Sequence, residues 1–361
     1  GNNLLQARLE QAVEEHALPG AVFALTSENA EPEIYAAGRA DIESNSAIKK
    51  DMYFRIGSVT KTFTATSILM LVDRNTIELE DTVASVLSTA EVPNGDSITI
   101  RNLLMMRSGL SDYPSNEKFQ DLSEQDPEHN WSFRELIDLV HEQYKPNQHF
   151  AYRNINYIIL GQILEKVSGM SRKAFVSQQI CKPLGLEHTF VHEKKSMPPN
   201  SARGYIFANN EPTDMTEHFD PSWGGAAGDM VSNARDLTVW LRAFSSGTLL
   251  SEKTHEQMMA MRGGPIHGFL GGYGQGVMNL HGAVGHGGDY AGIYTSAVFT
   301  YQGMYMVALV NGQLGDHSGD ATDVFFDLAH FVSAPDKDPQ WLTRQLSFLL
   351  HMSRDGLEVP G

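Results

Sequence analysis

Phe54–Val72 reads FRIGSVTKTFTATSILMLV, and the interpretation of this stretch decides where the rest of the chain belongs. Gly57 frees the backbone just before Ser58, and the mostly apolar run that follows predicts a buried helix to about Arg74. Lys61 falls one turn after the serine, so Ser58 and Lys61 share a helix face. A serine hydroxyl is a weak nucleophile until a neighbour takes its proton, and an amine does so only when neutral. Burial lowers a lysine pKa, and so does the positive end of a helix. The pair therefore has the makings of a nucleophile and its base.

Ser-x-x-Lys occurs three times, at Ser46/Lys49, Ser58/Lys61 and Ser115/Lys118. The first lies in a polar stretch and the third in the loop-like Pro114-Ser-Asn-Glu-Lys118; Ser58 alone opens an apolar helix.

Two other stretches supply groups that could complete such a site. Tyr152-Arg153-Asn154 directly precedes a predicted helix over Asn154–Val167. A tyrosine held near two ammonium groups can lose its proton and shuttle one between nucleophile and leaving group. His286-Gly287-Gly288-Asp289 lies between strand-like runs, where the glycines would let a substrate backbone approach closely.

The remaining chain predicts an α/β (α+β) fold. An amphipathic helix carrying Leu4, Leu5, Leu9 and Val13 stops near Pro19-Gly20, and β-prone runs follow at Ala21–Ser27 and Glu33–Gly38. Late strands are predicted at Tyr273–Leu280, Gly282–His286, Tyr294–Thr300 and Met304–Asn311. With the early pair they form one antiparallel sheet flanked by helices. Between residues 80 and 199 helix signals dominate: Ile100–Met106, a longer Phe133–Tyr144 starting with a Ser132/Glu135 capping box, Asn154–Val167 and Arg172–Cys181. Ser232 is predicted to cap a helix over Asn233–Phe244, and another helix covers Ala321–Val332. The expected organisation is a discontinuous α/β subdomain (1–79 and 200–335), an inserted all-helical subdomain (80–199) and a C-terminal helical extension (336–361), whose helix spans Gln340–Met352.

Composition narrows the function. The 361 residues are 41% apolar and 20% charged, ordinary for a globular protein. Lys plus Arg number 27 against 44 acidic residues, a net charge of −17 spread along the chain, which argues against nucleic acid or an anionic membrane as partner. Cys181 is the one cysteine, so no internal disulfide and no cysteine-based metal site can form in one chain. Fourteen histidines are present, but no His-Glu-x-x-His, and His188 with His192 has no evident third ligand. No run of about 18 apolar residues exists that would span a membrane. Glycine at position 1 fits a trimmed start, and the expected location is periplasmic or secreted, with the cytoplasm as the alternative.

Taken together and in this order, Ser58/Lys61, Tyr152/Asn154 and His286/Gly288 resemble the Ser-x-x-Lys, Tyr-x-Asn and Lys/His-x-Gly motifs of the penicillin-recognising serine hydrolases. These include class C β-lactamases, D-alanyl-D-alanine carboxypeptidases, D-aminopeptidases and related esterases, and the resemblance runs from about Leu4 to Val332. Phe54–Lys61 and Arg107-Ser-Gly-Leu-Ser-Asp-Tyr113 look most like the soluble D-alanyl-D-alanine carboxypeptidase branch. The resemblance implies the β-lactamase/DD-peptidase fold and an acyl-enzyme on Ser58, with Lys61 and Tyr152 sharing proton transfers and His286 supporting the tyrosine. It implies an oxyanion hole from the backbone N–H groups of Ser58 and Asp289, worth about 3–4 kcal/mol per donor. Asn154 would hold the substrate amide and orient Lys61, Gly287, Gly288 and Asp289 would line the substrate strand, and Trp223 would line the cleft. No cofactor and no metal is implied. The partner is a peptide or small molecule: a D-amino-acid peptide, amide, ester or β-lactam. Oligomeric state is left open.

One departure bears on substrate. The carboxypeptidase branch uses a threonine after its histidine motif and an arginine on a neighbouring strand to hold a terminal carboxylate, whereas here Asp289 follows the glycines and Gly274–Asn279 has no arginine. A D-aminopeptidase, D-amino-acid amidase or esterase with weak or no β-lactamase activity is therefore the alternative, and a non-catalytic ligand-binding relative the second.

Overall fold

The structure is a computed structural model that describes residues 3–87, 92–261, 270–333 and 358–359. Helix α1 (Asn3–Glu15) leads into β1 (Gly20–Thr26), β2 (Glu33–Asp41) and the short β3 (Ser46–Ala47). Helix α2 (Thr60–Asp73) follows, then α3 (Asn154–Ser168) and α4 (Ala234–Ser246). The remaining sheet strands are β4 (Leu270–Tyr273), β5 (Met278–Leu280), β6 (Ala283–Tyr290), β7 (Tyr294–Tyr301) and β8 (Met304–Val310), before α5 (Ala321–Ser333).

These eight strands form one sheet in the order β4-β5-β6-β7-β8-β1-β2-β3, with antiparallel pairing throughout. The join is between β1 and β8, where Ala21 pairs with Val310 and Thr26 with Tyr305, so the early and late strands are united within the sheet. Every residue of β1 is buried, as expected for a strand covered on both faces. Alternation on β7 identifies the covers. Phe299 packs edge-on against Phe325 of α5, while the next residue, Thr300, bonds Ser245 of α4 at 2.7 Å on the opposite face. On the α4 side the second layer is α2, whose Phe63 stacks on Trp240 at 4.1 Å and whose Thr62 accepts the Trp240 indole N–H at 2.9 Å.

Residues 80–199 carry mainly helices around the buried α3, together with short strands at Phe150–Ala151 and Phe190–Val191. Phe190–Val191 pairs with Met230–Ser232, which also pairs with Phe54–Arg55, the strand leading to Ser58. No helix among the described residues is long and apolar enough to cross a membrane.

Several expected elements differ in extent. The helix predicted over Phe133–Tyr144 stops at Ile137, although its Ser132/Glu135 capping box is present. Beyond it the chain is captured by the 109–111 turn: Ser111 N–H bonds His141 O, and the N–H groups of Gln143 and Tyr144 both bond Gly109 O. Those tertiary bonds replace helical ones. The run Tyr273–Leu280 is broken into β4 and β5 by a tight turn at Gly274–Val277, where Gly276 has φ +74°. The strand predicted to end at His286 continues to Tyr290, so His286–Asp289 lies within β6 and not between strands. Helix α4 is capped by Asn233, whose side chain accepts the Asp236 N–H, and Ser232 ends a strand instead. The helix expected over Gln340–Met352 lies outside the described residues.

Candidate active site

Gly57–Val59 forms a 3-10 turn running directly into α2, so Ser58 sits at the mouth of that helix and Lys61 in its first turn. Gly57 has φ +52°, and a Cβ there would lie 2.7 Å from the Asp289 nitrogen. The glycine is thus what lets the serine turn and β6 come into contact.

Lys61 is fully enclosed. Its Nζ lies 2.8 Å from Ser58 Oγ, 2.8 Å from Asn154 Oδ1 and 3.0 Å from the Ala227 carbonyl oxygen. Burial pulls its pKa from 10.5 down to about 7, opposed by the carboxylate of Asp112. The three partners then decide what the neutral amine does. Asn154 Oδ1 and Ala227 O can only accept, so they take its two N–H groups and leave the lone pair facing the Ser58 hydroxyl.

Tyr152 is buried, hydrogen-bonded to Ser58, and has Lys61 Nζ 4.9 Å above its ring. Burial raises its pKa above that of a free phenol, and Asp112 adds to the rise. Among the described residues, Lys61 is the lysine placed against its ring. Tyr152 therefore rests as a protonated phenol and not as a phenolate, a donor toward Ser58.

His286 is 1% exposed and stands behind Tyr152, with ring centroids 6.1 Å apart. Its Nδ1 donates to the Gly287 carbonyl at 2.6 Å, and its Nε2 lies 3.0 Å from the Tyr273 hydroxyl. Burial, then the charge of Lys61, lowers its pKa to about 3, so it is neutral and its Nε2 accepts from Tyr273. In turn Tyr273 packs edge-on against Tyr152 at 6.0 Å. The histidine reaches Tyr152 through ring contacts, its own and those of Tyr273.

Gly288 serves the fold. A Cβ on Gly288 would fall 2.1 Å from Ile56 O and 2.4 Å from Ser296 Oγ, so the backbone that approaches closely is the chain's own strand before Ser58. Neither Gly287 nor Gly288 lines the cleft, whereas Asp289 does. Strand β5 pairs only with Ala283–Gly285 of β6, and no strand among the described residues covers the same edge at Gly287–Asp289.

A cleft of about 340 Å³ opens in front of Ser58, Tyr152 and Asn154. Its walls include Pro114, Phe119, Phe219, Trp223 and Ala291, with Asp289 at one side. Trp223 is held by the Tyr113 hydroxyl on its carbonyl and by Tyr290 against its ring at 5.2 Å. The size and apolar lining suit a small organic ligand.

Ser58, Lys61, Tyr152, Asn154, Trp223 and Asp289 are thus brought together as expected, with His286 one layer behind. Residues not singled out from sequence are Tyr273, the Ala227 carbonyl, the aromatic walls Phe119 and Phe219, and Asp112. Tyr273 was only named as the start of a strand, and Asp112 only as part of a motif. Cys181 is buried and its thiol is pushed up to about 12, which makes it a packing residue. The histidine pair is accounted for separately: His188 bonds Tyr53 and His192 bonds the Ser196 carbonyl.

A family model described as Beta-lactamase matches residues 5–329. Among solved structures, the D-stereospecific amidohydrolase from a Streptomyces species is 29% identical, with TM-score 0.79 over 90% of this chain and 97% of that one. The D-amino acid amidase from Ochrobactrum anthropi SV3, complexed with D-phenylalanine, is 26% identical, with TM-score 0.80 over 93% and 99% of the two chains. The putative penicillin-binding protein PbpX of Bacillus subtilis is 28% identical over 209 residues, 57% of this chain and 49% of that protein. Protein flp of Staphylococcus aureus is 27% identical over 210 residues, 41% of its length. The chain spans less than half the length of these two curated relatives.

Proposed function

The chain belongs to the beta-lactamase family, and on that premise we propose that it is a serine hydrolase acting through an acyl-enzyme on Ser58, with D-amino-acid amides or related amine-bearing acyl donors as substrates. Lys61 in its neutral form takes the Ser58 proton as Oγ attacks the carbonyl carbon. The developing oxyanion is met by the backbone N–H groups of Ser58 and Asp289, a reading supported by the closeness of Gly57, next to Ser58, to the Asp289 nitrogen. Tyr152 keeps its proton in the resting state and gives it to the leaving nitrogen. Water then cleaves the ester as the same groups act in reverse. Asn154 holds both Lys61 and the substrate amide.

The observation that carries the substrate reading is charge. Among the described residues lining the cleft, Asp289 is the one charged residue, its Oδ1 accepting the Gly292 N–H at 2.7 Å, and no arginine or lysine lines the cleft to receive a terminal carboxylate. At about 4 Å and an effective dielectric near 20, Asp289 would repel a substrate carboxylate by roughly 4 kcal/mol and attract an ammonium group equally. The D-alanyl-D-alanine carboxypeptidase reading shares the catalytic groups but lacks this counter-charge. The amide reading is supported by the likeness to the two D-specific enzymes.

A panel of D- and L-phenylalanine amide, an N-acyl-D-Ala-D-Ala peptide, p-nitrophenyl acetate and a chromogenic cephalosporin, compared by kcat/KM, tests this. The D-amide is expected to lead, and Ser58→Ala to abolish every activity. A D-Ala-D-Ala peptide turned over faster than the amides would overturn the substrate assignment, and Asp289→Thr should raise that peptide's rate relative to the amide. Turnover that survives Ser58→Ala would remove the mechanism itself.

A further inference from the structure

Asp112 lies in the turn before Tyr113–Ser115, is 8% exposed, and takes no part in the chemistry described above. Its Oδ2 accepts the Asn154 N–H at 2.7 Å, and its Oδ1 accepts the N–H groups of Ile155 at 3.0 Å and Tyr113 at 3.1 Å. Helix α3 needs this, because Arg153, which occupies its cap position, makes no side-chain cap bond. Its first free N–H groups are satisfied by a carboxylate from another segment, where the helix dipole also favours a negative charge.

The same carboxylate lies among the site's charges. The groups facing it are Lys61 from α2, Arg153 at the start of α3, and the phenols of Tyr113 and Tyr152. Burial raises the pKa of Asp112, and its bonds to Asn154 and Ile155 with the charges of Arg153 and Lys61 oppose that rise. For Lys61 it is the carboxylate that limits how far burial drives the pKa down. A buried charge of this kind is costly unless it is hydrogen-bonded and compensated; Asp112 accepts three backbone N–H groups and lies in the field of Arg153 and Lys61.

We propose that Asp112 is a positioning residue for acylation: it clamps the start of α3, which sets Tyr152 and Asn154 around Ser58, and supplies the buried counter-charge of Lys61. The proposal rests on the acyl-enzyme reading, so the wild type is tested first by fluorophosphonate labelling of Ser58, followed by mass spectrometry. No labelling of folded wild type ends both readings; labelling leaves the Asp112 proposal to stand or fall alone.

The second readout is the pH dependence of the labelling rate in Asp112→Asn and Asp112→Glu, with thermal melts to verify folding. Asp112→Asn removes the charge at nearly constant volume, and its acid limb should move roughly one pH unit lower. Its plateau should fall about 10- to 100-fold as α3 loses its clamp. Asp112→Glu keeps the charge on a longer arm, so its plateau should fall while the acid limb stays in place. A purely structural role would lower the melting temperature without moving the limb. Asp112→Asn labelling at the wild-type rate with an unmoved limb overturns the proposal. If Asp112→Asn does not fold, a displaced limb in Asp112→Glu overturns it, and an unmoved limb with a lowered plateau supports it.

Discussion

A lysine whose ammonium group is wholly enclosed has lost the water that would hold its proton, and Lys61 carries that condition into the chemistry at Ser58. With its pKa lowered to about 7, the amine is protonated and inert below that pH and competent above it. The rate of Ser58 acylation should therefore rise with pH through a midpoint near 7, read from kcat/KM for p-nitrophenyl acetate. Lys61→Arg keeps a cation at every accessible pH and should cost about 10²–10⁴-fold across the whole range. His286, already neutral above about pH 3, should contribute no inflection of its own. The serine and lysine were legible because a helix puts residues three apart on one face, a relation contained in a few adjacent letters. Asp112 was not, since its partners at Asn154 and Ile155 belong to a different segment and only the fold brings them within reach.

Elements meet in this site through absent side chains. Ile56, just after the strand Phe54–Arg55, lies against Gly288 so closely that an added methyl would sit 2.1 Å from Ile56 O. Gly288→Ala should push β6 away from the serine turn, lower stability by about 1–3 kcal/mol and reduce labelling of Ser58 disproportionately. Denaturant melts beside labelling rates would check this, and a variant that melts early but acylates normally would contradict it. The need for glycine at 287–288 was visible in the sequence, but not what it makes room for: substrate was expected, and the neighbouring strand is found at Gly288. Helix ends behaved similarly. The capping box at Ser132 was readable because it is local, whereas the end of that helix is imposed by the distant Gly109 and Ser111.

Across the whole molecule, sheet and helices were legible as types, and the antiparallel order follows from joining early strands to late ones. Contacts between the parts were not legible. Arg172, at the start of a helix in the middle of the chain, forms a buried ion pair with Asp229, next to the strand Met230–Ser232 that pairs with the run into Ser58. Removing one partner of such a pair leaves the other charge buried, so Arg172→Met should cost about 3–5 kcal/mol in unfolding experiments. Replacing both, Arg172→Met with Asp229→Leu, should recover much of that loss; no recovery would mean the pair matters for more than its charge.

The pairing of β1 with β8 has a consequence for biosynthesis. Ser58 emerges from the ribosome before Asp289 and the strands β4–β8 around it. On the proposed mechanism, a nascent chain that holds Ser58 and Lys61 lacks one of the two N–H groups of the oxyanion hole, and it should stay unreactive until the strand carrying Asp289 has been synthesised and docked.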